Sequence, residues 1–199
     1  MLDQVYSERG YRKDEPLDQV LTDLFSRTTP NQKRVLFPIA FTSVSKHGRN
    51  NIPGFWEKLR EYNPTVIDLD RRNKVRWVLS RLTASKTRVF HVFKKENLIK
   101  TKVHFDLKYF HAALKVDKQT QDSFREFFYS KPFLEVFYED LTSNLGKELA
   151  TIQTFLGVDV LDLTPKTLKQ GIYPLSEVVD NYSEVVEALR GTEYEFQVC

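Results

Sequence analysis

At 199 residues the chain has the length of one domain whose core is large enough to fold without disulfide or metal staples. Its 41% hydrophobic and 29% charged residues are an ordinary soluble balance, and no apolar run approaches the roughly 18–20 residues of a membrane span. A net charge of +3 without a zinc-finger or aromatic RNA-binding signature argues against a nucleic-acid partner, and the one cysteine, Cys199, excludes an intramolecular disulfide.

Taken in order, Leu17, Val20, Leu21, Leu24 and Phe25 recur at helical spacing behind Pro16, a residue suited to a first turn. Residues 34–41 (RVLFPIAF) form an apolar run expected as a strand, with Pro38 confining it to an edge or an end. Residues 51–54 (NIPG) open a helix that carries Phe55, Trp56, Leu59 and Tyr62. Residues 65–69 predict the next strand, and 73–84 the next helix, with Val75, Val78, Leu79 and Leu82 turned inward. Residues 88–93 alternate like a strand, yet the whole stretch 85–104 reads equally as a long substrate-facing loop. Asp106 is a plausible N-cap for a helical pattern that starts at Leu107, Phe110 and Leu114 and finishes at Phe124, Phe127 and Phe128. A buried strand over 133–138 precedes an amphipathic helix over 144–156 that Gly157 stops, and beyond Pro165 the chain is irregular until a helix over 182–189. Strands alternating with helices predict one α/β domain over 1–199, with a mainly parallel sheet flanked by helices.

The stretch 66–73 (VIDLDRRN), with Ser80 eight residues after Arg72, carries the clearest chemistry. An arginine at a strand's C-terminal end and a serine on the following helix can converge on one phosphate. The guanidinium offers a planar fork of donors, and the helix N-terminus adds N–H groups and a positive dipole end. Arg71 reads as a surface or supporting residue, and the second basic cluster, Lys94, Lys95, Lys100 and Lys102, as a solvated face. The four histidines, His47, His91, His104 and His111, do not stand at metal-ligand spacing.

Two further segments follow the Arg72–Ser80 element in order: 137–141 (FYEDL) leading to 155–158 (FLGV), then Lys169-Gln170 followed by 174–177 (PLSE) and Asn181-Tyr182. With these the chain resembles the sulfotransferases that use 3′-phosphoadenosine-5′-phosphosulfate (PAPS), and most of all their bacterial carbohydrate branch, the trehalose and nodulation-factor enzymes. The likeness covers roughly residues 34–84 and 133–197.

The resemblance implies a P-loop-like sulfotransferase fold and sulfuryl transfer from PAPS to a hydroxyl, of a carbohydrate, with no metal. It implies that Arg72 and Ser80 grip the 3′-phosphate, that Tyr138 lies near the adenine, and that Lys169 and Gln170 belong to a tail folding over the nucleotide. The family's Gly-, Ser- and Thr-rich phosphosulfate loop has no counterpart here, Pro38 stands where relatives often carry lysine, and no catalytic base is identifiable. The expectation is therefore an N-terminally incomplete sulfotransferase-like chain, cytoplasmic for want of a signal sequence. The alternatives are an inactive homologue serving as a binding or interaction protein, and an unrelated nucleotide-binding module.

Overall fold

A computed structural model describes Gln19, Thr22 and residues 55–198. The expected strand over 34–41, and all but two positions of the first expected helix, lie outside the described residues. The rest is an α/β arrangement. Helix α1 (Phe55–Glu61) leads to strand β1 (Val66–Asp70), and helix α2 (Lys74–Thr87) follows. A single 3₁₀ turn, Lys95–Asn97, interrupts the next loop before the long helix α3 (Leu107–Phe128). Strand β2 (Phe133–Phe137) runs directly into α4 (Tyr138–Ser143), which is followed by α5 (Leu145–Phe155), α6 (Leu175–Val178) and α7 (Tyr182–Leu189). Among the described residues the sheet has two strands, β1 beside β2 in parallel, which is smaller than the sheet expected from sequence. None of the described helices is long and apolar enough to cross a membrane.

The chain falls into two compact units: one takes in residues up to Asp68, Thr120–Glu135 and Ala150–Leu161, the other Leu69–Gln119, Val136–Leu149 and Asp162–Cys199. In the first, the spacing of Phe124, Phe127 and Phe128 places three rings together at the end of α3. Phe128 meets Trp56 edge-on at 6.1 Å and Phe124 at 5.0 Å, and Phe124 in turn packs on Phe133 of β2 at 5.9 Å. Helix α5 ends at Gly157, whose φ of 66° is the left-handed conformation that glycine adopts without steric cost. Just beyond it, the buried Gln153 side chain pairs with both backbone groups of Leu161, at 3.0 and 2.9 Å.

The second unit holds the larger apolar core. Val75, Val78 and Leu79 of α2 recur at the 3–4-residue spacing of one helix face and pack with Val103, Phe105 and Phe110. The last turns of the fold close over them: Val103 forms a parallel bridge with Val179, and Leu189 and Val198 are buried in the same cluster. Asn181 extends this pairing with its side chain, accepting from Phe105 N at 2.9 Å and donating to Phe105 O at 3.1 Å. Asp106 caps α3 as expected, its Oδ1 accepting from Lys108 N and Tyr109 N at 2.8 and 3.1 Å. Residues 85–87 continue α2, and from 88 to 104 the chain is a loop rather than a strand. Val92 is buried, but Phe90, which an alternating strand would turn to the same side, is exposed along with His91 and Phe93, so the alternation of the sequence is not carried into burial. The stretch gains only scattered backbone partners, such as Leu168 N donating to Val92 O at 2.7 Å, and no ladder.

Candidate anion-binding site

The turn that leaves β1 is held by two carboxylates from the start of α4. Glu139 accepts from Arg72 N at 3.0 Å and Asn73 N at 3.1 Å. Asp140 takes the Arg72 guanidinium in a two-pronged pair, 2.6 Å from Nη1 and 2.8 Å from Nη2. The same guanidinium lies 3.8 Å above the Phe137 ring. Its hydrogen bond holds the Asp140 carboxyl below the usual carboxylate range. The start of α2 is likewise satisfied from within. Asn73 Oδ1 accepts from Arg76 N at 2.8 Å, and Gln197 Oε1 accepts from Lys74 N at 2.7 Å and Val75 N at 3.3 Å.

This geometry differs from the sequence expectation of Arg72, the helix N-terminus and Ser80 meeting on one phosphate. The donors of the turn already face carboxylate or amide oxygens, and the Ser80 hydroxyl donates to Trp77 O at 2.7 Å. The physical reason is local concentration: a carboxylate tethered beside the turn by a parallel strand pair competes as an intramolecular ligand, without the entropy cost a free anion pays.

Arg71, one residue earlier, projects instead into a cavity of about 1200 Å³ whose described lining belongs entirely to the second unit. Its guanidinium stacks 4.5 Å from the Tyr138 ring centroid, with Nε 3.7 Å from Glu139 Oε1 and buried without a hydrogen bond. Arg76 lines the same cavity and spends Nη1 on the backbone carbonyl of Tyr173, at 2.7 Å. Burial lowers the pKa of both arginines, and for Arg76 the positive charge of Arg71 lowers it further. A Cβ placed on Gly171 would lie 4.0 Å from Arg71 Nη2, so segment 169–173 runs close against both guanidinium groups.

Arg76, Ser80, Thr83 and Thr87 fall on one face of α2 and give the cavity a polar wall, although the Ser80 and Thr87 hydroxyls donate to the backbone carbonyls of Trp77 and Thr83, at 2.7 and 2.8 Å. Arg81, Arg88 and Lys169 bring its cationic side chains to five, and none of the described residues that line it is Asp or Glu. Phe90 and Ile99, both exposed, add an apolar portion to the lining.

Of the residues singled out from sequence, Ser80, Tyr138, Lys169 and Gln170 line this cavity and Arg72 does not. Gln170 is fastened by Nε2 donating to Phe90 O at 2.9 Å, and Lys169 is exposed. The sequence takes Arg71 as a surface or supporting residue and singles out no role for Arg76, and both line the cavity. The available signal was the four-residue spacing of Arg76 and Ser80, together with two adjacent carboxylates, Glu139 and Asp140, able to claim one of the paired arginines. Among the described residues no group of three or more His, Cys, Asp or Glu could hold a metal ion. The chain matches no family model, no curated protein and no solved structure.

Proposed function

We propose that this cavity holds a polyanionic adenine nucleotide of the PAPS type, and that the chain is sulfotransferase-like, passing a sulfuryl group to a hydroxyl, of a carbohydrate. The observation that supports this reading is the charge of the wall: five cationic side chains with no carboxylate among the described lining residues. Such a wall, with Arg71 and Arg76 partly buried in it and Arg81, Arg88 and Lys169 exposed, favours a ligand that carries several negative charges. The residues present fit that ligand. Arginines supply planar forks for phosphate oxygens and Lys169 a mobile point charge, while the Ser80 hydroxyl must turn from Trp77 O to donate to the ligand.

The nucleotide, when bound, supplies a sulfuryl group on a phosphate leaving group. This chain's residues then bind and orient it and stabilise the charge that develops on the leaving oxygens, in the manner of phosphoryl transfer. No side chain in the cavity is assigned as the base.

A second reading, binding without transfer, is favoured by one observation. Glu139 and Asp140 already occupy the donors of the turn that the family resemblance gives to the 3′-phosphate. Calorimetric titration with 3′-phosphoadenosine-5′-phosphate and with 5′-AMP tests the nucleotide site, and sulfuryl transfer from labelled PAPS to an oligosaccharide mixture tests the chemistry. Binding that prefers the bisphosphate, with transfer, supports the first reading; the same binding without transfer supports the second. No binding of either nucleotide by folded protein refutes both.

A further inference from the structure

Two arginines stand side by side in sequence after β1, and their surroundings are opposite. The Arg72 fork is saturated by Asp140, with half of its side chain exposed to solvent. The Arg71 side chain is only 17% exposed, its Nε has no hydrogen bond, and its nearest carboxylate oxygen is 3.7 Å away, beyond hydrogen-bonding distance. Arg76, also in the cavity wall, gives one of its donors to a backbone carbonyl, which carries no full negative charge. Segment 169–173 passes both, touching Arg76 through Tyr173 O and approaching Arg71 at Gly171. The protein has therefore brought two partly desolvated like charges toward one strap of chain, with a single nearby carboxylate, Glu139, which lies outside hydrogen-bonding distance of Arg71 and already accepts from the turn. A partly buried arrangement of that kind gains from a further counter-charge.

We infer that Arg71 and Arg76, and not Arg72, form the seat for a tetrahedral dianion of the phosphate class, with the backbone of segment 169–173 lying over it. The inference rests on the cavity being the anion site proposed above, and goes beyond it by naming the residues and by giving Arg72 a holding role. In that role, Arg72, Asp140 and Glu139 lock the turn so that Arg71 faces inward. Gly171 fits the same picture: a side chain there would be aimed at the Arg71 guanidinium. Its backbone does not adopt positive φ, so a larger residue is accommodated without strain. An aspartate at this position would bring its own carboxylate to the seat and displace the ligand.

The test measures two probes, 3′-phosphoadenosine-5′-phosphate and inorganic phosphate, on wild type, Arg71→Ala, Arg76→Ala, Arg72→Ala and Gly171→Asp. Binding is read by calorimetry and folding by thermal melting. Arg71→Ala and Arg76→Ala are each expected to weaken binding by about 10- to 100-fold, the loss of charge-assisted hydrogen bonds, and Arg72→Ala by less than about 3-fold. Gly171→Asp is expected to abolish binding while melting at or above the wild-type temperature, which separates a filled seat from an unfolded one. If inorganic phosphate binds with this same dependence and the nucleotide does not, the seat stands and the nucleotide reading falls. If the nucleotide binds but depends on Arg72 rather than Arg71, the seat is wrong and the nucleotide reading survives. Absence of binding of both probes to folded wild type overturns the seat as well.

Discussion

Replacing Lys74 by methionine is the sharpest probe of how the site is held in place. Lys74 Nζ sits between Asp70 Oδ1 at 2.8 Å and Asp117 Oδ2 at 2.9 Å, tying the end of β1, the start of α2 and the middle of α3. The three side chains are 17%, 14% and 18% exposed, so water screens them little. Breaking a fully buried ion pair costs about 3–5 kcal/mol, whereas an exposed pair contributes about 0–1 kcal/mol. Discounting for the residual solvent contact, the expected loss is about 2–4 kcal/mol, or roughly 5–15 °C in Tm for a chain of this size.

Parallel urea and thermal unfolding at neutral pH measures that loss. Adding Asp117→Asn to Lys74→Met should recover part of it, because the damage comes from two carboxylates facing each other without their cation. The wild type carries a matching signature at high pH. Burial opposes the charge on Lys74, but the hydrogen bonds from Asp70 and Asp117 outweigh it and push its pKa up. A raised lysine pKa contributes stability that is complete below its ordinary value of about 10.4 and is lost as pH climbs through the raised one. A cost below about 1 kcal/mol, or no recovery in the double variant, refutes the reasoning, since either result would mean that the triad behaves as a solvated surface cluster.

Other outcomes are equally specific. The depressed pKa of Asp140, caused first by its hydrogen bond to Arg72, stabilises the fold above the ordinary carboxylate value of about 3.9 and ceases to do so as pH falls through the lowered value. Melting curves of wild type and Arg72→Ala should therefore converge at strongly acidic pH; a constant gap across the range would show that the pair is not the cause. Asn73→Ala removes the cap of α2 and is expected to cost about 1–2 kcal/mol, read from the urea midpoint with an unchanged slope. Phe110, fully buried against Phe105 at 5.4 Å and Tyr194 at 5.3 Å, should cost about 3–5 kcal/mol when cut to alanine, and a loss under about 1 kcal/mol would contradict the packing described.

Local rules made much of the described fold readable. Asp106 and Gly157 bound their helices as side-chain caps and left-handed glycines do, and the inward face of α2 follows from the spacing of Val75, Val78 and Leu79. Residues 88–93 show the limit of alternation as a signal: with no neighbouring strand to form a ladder, the pattern produces neither a strand nor one-sided burial, and Val92 alone is buried. The candidate site was legible only in outline, as a basic turn after a strand. Which of its two arginines lines the cavity was not legible. Arg71 and Arg72 are chemically identical in sequence, and what distinguishes them is the carboxylate pair at Glu139 and Asp140, brought across by the β1–β2 pairing. The cap that Gln197 provides for α2 comes from a residue more than 120 positions away, beyond the reach of any local pattern.

That distant cap has a kinetic consequence. The wall of the cavity is carried by α2, yet two of that helix's first N–H groups find their acceptor only when residue 197 arrives. A contact across so long a span is of the non-local kind that slows folding, because the loop must close before the contact rewards it. Until Gln197 is in place those two amides have water as their partner. A cut by a protease between α7 and Gln197 would free the cap together with Tyr194 and Val198, which pack in the core, and so would loosen the start of α2 and that side of the core alike. Segment 195–198 thus couples the helix that carries part of the cavity wall to the packing around Phe110 and Val198.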